Sequence, residues 1–253
     1  MMVAKAPILG IKTSTMKYDS LVAYSLRHPG KALWKLQRVL RGQVAKAQSV
    51  EECGLNRAMV EFFCLGEERK HNANCDNMYL FGGSLQRRRI ENFARWSAAR
   101  YPGDFVEIGA YRGETSRRLA QAAGETGRRL IVIDPWMSGS QDCEGSEYQQ
   151  FLDNITPYKE HVDVWRDSSQ DPQVIARLKE RQLCFAFVDG LHTLKGAFSD
   201  TMAVGHAKGI IAADDVRYNH DLAFAHNHAA ALLARPSVID PDMREAYILP
   251  AAS

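Results

Sequence analysis

The sequence predicts an α/β protein built on a doubly wound, mostly parallel sheet, with an α-helical N-terminal extension. Three observations predict it. From Tyr101-Pro102-Gly103 onward, short β-rich runs alternate with helical segments, the pattern of a parallel sheet covered on both faces. The runs end on unusually polar residues, Glu107, Asp134, Asp167, Asp189 and Asp214 among them, and ligands of open α/β sheets sit beyond the carboxyl ends of the strands. The first 83 residues carry helical patterns instead. The expected organisation is therefore a basic helical extension over 1–83 and a catalytic or binding domain over 84–253.

Within the extension, helical pieces run from Tyr18 to Gly42, broken at His28-Pro29-Gly30. The second piece is amphipathic, with Lys31, Lys35, Arg38 and Arg41 on one stripe and Leu33, Leu36 and Leu40 opposite. Residues 27–41 thus suit either packing on the body or peripheral contact with an anionic membrane surface. A further helix is expected over Val50 to Leu65, ending at Gly66, before a polar loop leading to Gly82-Gly83. Ser84 opens a helix to about Ala99. The strand candidates are Phe105 to Gly109, Leu130 to Asp134, Val162 to Arg166, Cys184 to Asp189 and Gly209 to Asp214. A helix from about His220 to Ala234 follows, and Ser237 to Ile239 with Ala246 to Leu249 reads as a closing β-hairpin.

Composition excludes several classes. With 45% apolar and 25% charged residues in 253, and five scattered cysteines, the chain is neither disordered, collagen-like nor a disulfide scaffold. Cys53, Cys64 and Cys75 read as small buried side chains. No stretch approaches the ~20 apolar residues of a membrane span, and the N-terminus lacks a secretory signal, so a cytoplasmic location is expected. The net charge of +2 hides an asymmetry. Residues 1–50 carry nine Lys/Arg against the single acid Asp19, net +8, and the other 203 residues are net −6. Arg87, Arg88 and Arg89 lack interleaved aromatics and read as a solvated helix face, not a nucleic-acid site. His226 and His228 cannot share a helical face, which argues against zinc there; His220 is placed at the rim of an acceptor pocket.

The segment Glu107-Ile-Gly109-Ala-Tyr111-Arg-Gly113 follows the first strand and opens a helix. A glycine turn there lets a ligand approach backbone N–H groups and a helix N-terminus. Asp134, ending the next strand, can accept hydrogen bonds from a ribose diol. NAD enzymes use the same two places, but the turn lacks Gly-x-Gly-x-x-Gly. An acid at Glu107 suits a cofactor bearing an amino-acid ammonium group better than a pyrophosphate. Phe105-Val-Glu107-Ile-Gly109-Ala-Tyr-Arg-Gly113 resembles the first motif of class I S-adenosylmethionine (SAM)-dependent methyltransferases, with Tyr111 where many members carry a second glycine. The resemblance implies a Rossmann-like methyltransferase sheet. It also implies that Glu107, Gly109 and Gly113 line the methionine end of SAM, that Asp134 holds the ribose, and that Asp167 and Ser168 lie near the adenine. Trp136 suits an aromatic wall or a core position equally.

Asp189-Gly-Leu-His192 and Asp214-Asp215 end the fourth and fifth strands, expected neighbours about 4.8 Å apart. Three converging carboxylates repel unless a positive charge sits between them, and a hard divalent cation such as Mg²⁺ fits oxygen ligands. His192, three residues beyond Asp189, can act as general base for a hydroxyl near neutral pH. The pattern resembles the metal-dependent macrocin-type sugar O-methyltransferases. That resemblance, over about Asp104 to Val216, implies Asp189, Asp214 and Asp215 as metal positions and His192 as the base. The expected function is transfer of a methyl group from SAM to a hydroxyl of a sugar or other polyol-bearing small molecule. The Ser138 to Tyr148 loop is expected to set acceptor specificity, and a homo-oligomer is compatible with the sequence. The rivals are a hydroxylase-like tailoring enzyme on the same fold and a non-catalytic, membrane-associated scaffold.

Overall fold

The structure, a computed structural model, describes residues 84–137, 146–240 and 244–251. The basic arm, its stripe over 27–41, Cys53, Cys64, Cys75 and most of the expected specificity loop lie outside the described residues.

Helix α1 (Ser84–Ala98) places Ile90, Phe93 and Ala94 at helical spacing on one buried face. The chain then alternates: β1 (Asp104–Ile108), α2 (Glu114–Thr126), β2 (Leu130–Ile133), α3 (Glu147–Ile155), β3 (Val162–Trp165), α4 (Pro172–Lys179), β4 (Leu183–Val188), α5 (Leu194–Ala203), β5 (Ile211–Ala213) and α6 (His220–Leu232). The strands β6 (Ser237–Ile239) and β7 (Ala246–Ile248) close it. The seven strands form one sheet in the order β3-β2-β1-β4-β5-β7-β6. Strands β1 to β5 pair in parallel, and β7 pairs antiparallel with both β5 and β6. The expected hairpin is therefore present, with its second strand inserted next to β5. Strand β5 is shorter than expected, starting at Ile211 instead of Gly209.

Side-chain alternation sorts the core into two layers. Phe105, Leu130, Val132, Phe185 and Phe187 pack with Ile90, Phe93, Leu119 and Phe151 on one face. Val106, Ile108, Ile131, Ile133, Ala186 and Val188 pack with Val174, Leu178, Val204 and Leu222 on the other. Glu107 has the parity of the first layer and is fully buried. No helix among the described residues is long and apolar enough to cross a membrane.

The arginine cluster corrects the expectation of a solvated face. Arg88 is exposed and Arg87 pairs with Glu114, but Arg89 is 1% exposed and reaches Asp240 at 2.6 Å, itself fully buried. The helix turns its third arginine inward because an acid 151 residues further along the chain meets it there, a tertiary partner that helical periodicity does not reveal. Removing one member of such a pair leaves a charge buried alone, at a cost of roughly 3–5 kcal/mol. Arg89→Ala should lower urea stability by about that amount, and Arg89→Met combined with Asp240→Leu should recover most of it.

Candidate active site

The sheet order puts β1 beside β4, with connections leaving in opposite directions, which is the switch point where open α/β sheets bind ligands. The ladder continues past the strand ends. Gly109 N–H donates to the Ile133 carbonyl (2.9 Å), Asp189 N–H to that of Ile108 (2.7 Å) and Asp214 N–H to that of Val188 (3.0 Å). Gly109, with φ 85°, is required on two counts: a Cβ there would lie 2.0 Å from the Asp189 carbonyl oxygen. The glycine turn and the Asp189 loop are therefore in backbone contact.

Asp134 serves the turn directly. Its Oδ2 accepts from the N–H groups of Ala110 (2.8 Å) and Tyr111 (3.0 Å), and its Oδ1 from Trp136 N–H (2.7 Å). Tyr111, where the glycine of related motifs would stand, has φ 51°, a conformation unfavourable for a residue with a Cβ. Asp134 and the Trp136 indole N–H, which donates to the Tyr111 carbonyl at 2.7 Å, fasten it. Trp136 itself is buried against Tyr148 and Phe151, which is the core position of the two its sequence context allowed. Gly113 caps α2 with φ 80°, close against Phe151. Beyond β3, Asp167 and Ser168 are exposed, and the Ser168 hydroxyl accepts from Gln170 N–H within its own turn (3.2 Å).

Glu107 is the electrostatic outlier of this half. Neither carboxylate oxygen has a well-formed hydrogen bond among the described residues, although the Ser116 hydroxyl lies near enough to favour the ionised form. Burial pushes its pKa up to about 8; the Ser116 hydroxyl offsets this only in part, while Asp189 and Asp134 add to it.

The acceptor half gathers the other acids. His192 Nε2 lies 3.1 Å from Asp189 Oδ1 and its Nδ1 3.8 Å from Asp215 Oδ2. Arg244, which sequence reasoning missed, bridges Asp214 Oδ2 (2.9 Å) and Asp215 Oδ1 (3.3 Å). Gln86 of α1, also missed, donates to Asp214 Oδ1 at 3.0 Å, as does Asp215 N–H at 2.7 Å. Burial drives the Asp214 pKa up to about 7, reinforced by Asp189 and opposed by Arg244. Burial alone would lower that of His192, but the hydrogen bond and charge of Asp189, with Asp215 and Asp214 behind, lift it to about 9. The near-neutral histidine expected from sequence is thus held protonated at pH 7. The three aspartates do converge, and the positive charge among them comes from Arg244 and His192. Among the described residues no group of three or more His, Cys, Asp or Glu side chains is arranged to hold a metal ion.

A cavity of about 20 Å³ lies against this cluster, lined in part by Asp189, His192, Asp214 and His226. His226 is buried, and burial lowers its pKa to about 4 against the opposing pull of the Tyr247 backbone. His228 faces outward and stacks with Phe224, and His220 is exposed, so the divergent faces inferred for the histidine-rich helix are found.

Residues 106–216 match a family described as a methyltransferase domain. The fold is similar to that of CalS11, a TDP-rhamnose 3'-O-methyltransferase of calicheamicin biosynthesis, at 16% identity and a TM-score of 0.52, covering 83% of this chain and 98% of that one. It is equally similar to the methyltransferase PaMTH1 of Podospora anserina, solved with SAH bound, at 14% identity and a TM-score of 0.52, covering 98% of this chain and 100% of that one. No curated protein matches in sequence. Residues 106–216 are thus similar to a methyltransferase-domain family, and the chain shares the Rossmann-like fold of these solved methyltransferases.

The unpaired Glu107 makes a measurable prediction. Its pKa rises from an ordinary 4.5 to about 8 on folding, so the stability it allows is complete below pH 4.5 and is lost as pH climbs through 8. Glu107→Gln should therefore melt higher than the native protein at pH 9, by on the order of a few kcal/mol in stability, with the advantage vanishing near pH 5.

Proposed function

We propose that the chain is a SAM-dependent O-methyltransferase acting on a hydroxyl of a small sugar- or polyol-bearing acceptor, with His192 as general base. One observation carries this reading: two unlike half-sites meet at the β1/β4 switch point, a glycine turn with an orphaned acid on one side and an aspartate-held histidine on the other. The residues present suit SAM. The unpaired oxygens of Glu107 match an amino-acid ammonium, the bare backbone at Gly109 admits close approach, and Asp134 keeps about one lone pair for a ribose hydroxyl beyond the three bonds it accepts. When bound, SAM supplies a methyl group on a sulfonium and leaves as a neutral thioether. The sugar class of the acceptor is supported by the fold shared with a TDP-rhamnose 3'-O-methyltransferase and by the row of polar groups at the strand ends.

The chain's own residues supply the proton chemistry. Once His192 has lost the proton it holds at pH 7, Asp189, 3.1 Å from Nε2, keeps Nε2–H as the donor and leaves Nδ1 as the basic nitrogen. The acceptor hydroxyl gives its proton to Nδ1 as its oxygen forms the new bond to carbon, and the resulting imidazolium is stabilised by Asp189 and Asp215. The divalent cation implied by the sequence resemblance has no arranged donor set among the described residues, and no step is assigned to one.

Calorimetry should detect SAM binding, and its absence at millimolar SAM removes this reading. His192→Ala should lower turnover by ~10²–10⁴-fold while leaving SAM affinity nearly unchanged; equal losses would mark a structural histidine. Because His192 titrates near 9, kcat/KM should rise with pH through that value, and Asp189→Asn should move the limb to lower pH.

A further inference from the structure

We infer that the guanidinium of Arg244 occupies the position among the aspartates where the sequence pattern calls for a divalent cation, so that the acceptor site of this chain works without one. Its catalytic meaning rests on the reading above; its physical claim, that the cluster does not take up a dication, stands separately.

The fork geometry is the first support. One guanidinium spans two carboxylates, Nη2 to Asp214 Oδ2 at 2.9 Å and Nη1 to Asp215 Oδ1 at 3.3 Å, the planar two-pronged match that arginine makes and lysine does not. The site is dry enough for this to count, since the Asp214 and Asp215 side chains are only 3% and 7% exposed.

The second support is how the remaining oxygens are used. Asp214 Oδ1 accepts from Gln86 Nε2 and from Asp215 N–H, so both oxygens of Asp214 are committed to protein donors. Asp189 Oδ1 faces His192 Nε2, and Asp215 Oδ2 faces Nδ1 of the same ring. A hard cation needs several oxygens converging on one point. Here each carboxylate converges on a nitrogen instead, and a dication entering the cluster would displace a mostly buried arginine or sit beside its charge.

The neighbouring acid fits the same balance. Glu245, buried with neither oxygen hydrogen-bonded among the described residues, has its pKa raised well above the ordinary value by burial, with Asp214 and Asp240 adding to it. Burial thus disfavours its ionised form, the form a metal would need. Arg244 Nε, also buried and without a partner among the described residues, remains as a donor. Arg244 is thus a positioning residue, setting the aspartates that orient and stabilise His192.

The test is divalent binding by the full-length, chelator-treated protein, followed by calorimetry and thermal melting with Mg²⁺ and Mn²⁺. The native protein should show no saturable binding and no rise in Tm at ~1 mM metal, a level at which ordinary carboxylate sites fill. Arg244→Gln should uncover the aspartates and gain Mn²⁺ binding with a rise in Tm, and adding Asp214→Asn should abolish the gain. Saturable Mg²⁺ or Mn²⁺ binding to the native protein that disappears in Asp189→Asn overturns the inference. If Arg244→Gln does not fold, the native titration decides by itself. Methyl transfer that persists in EDTA agrees with it; failure to find methyl transfer at all strikes the proposed function and leaves the metal titration to stand.

Discussion

The backbone contact between Gly109 and Asp189 is the constraint on which the rest of the site depends. With the Asp189 carbonyl oxygen 2.0 Å from where a side chain on Gly109 would begin, strands β1 and β4 can run past their last apolar residues without separating. The hydrogen-bond ladder then extends across β2, β1, β4 and β5 at one level. Asp134, Gly109, Asp189 and Asp214 consequently end their strands in a row. A glycine turn beside a buried acid and a histidine held by Asp189 are brought together by main-chain geometry before any side chain chooses a partner.

The two ends of that row treat charge in opposite ways. At the cofactor end Glu107 is buried without compensation, and its environment favours the neutral acid. A ligand cation is what would make its ionised form affordable. At the acceptor end each of the three aspartates meets a positive or polar group of the protein, with Arg244, His192 and Gln86 sharing the work. The first end stores a mismatch that binding relieves, and the second is balanced before binding. That difference is suited to a reaction in which a charged donor must be captured while a neutral hydroxyl need only be aligned.

Much of this was legible in the sequence, for physical reasons. The strands of a doubly wound sheet are buried on both faces and read as short apolar runs. Gly109 marks a turn, and acids at strand ends stand out because they interrupt those runs. Asp189, His192, Asp214 and Asp215 were found together because one loop and one strand end carry them. Gln86, Arg244 and the inward turn of Arg89 were not. They lie on a helix and a hairpin turn where polar residues ordinarily face water, and only their distant acidic partners make them exceptions. Asp134 shows a subtler limit: the sequence marks it as a ribose acceptor, while the fold already engages it with the N–H groups of Ala110, Tyr111 and Trp136. Nothing short of the turn's geometry would show that it also fastens a tyrosine at positive φ.

The bonds from α1 to Asp214 and Asp240 span 128 and 151 residues of chain. The helix that precedes the sheet therefore finds the partners of its buried Gln86 and Arg89 side chains only late in the chain. As the chain leaves the ribosome, α1 can settle its apolar face on β1 and β4 and Gln86 can meet Asp214 after β5, but Arg89 must wait for the closing hairpin. The closing hairpin supplies both Asp240, which holds the helix through Arg89, and Arg244, which reaches the aspartates. A chain halted before residue 240 would lack both, so competence of the acceptor site is tied to completion of synthesis.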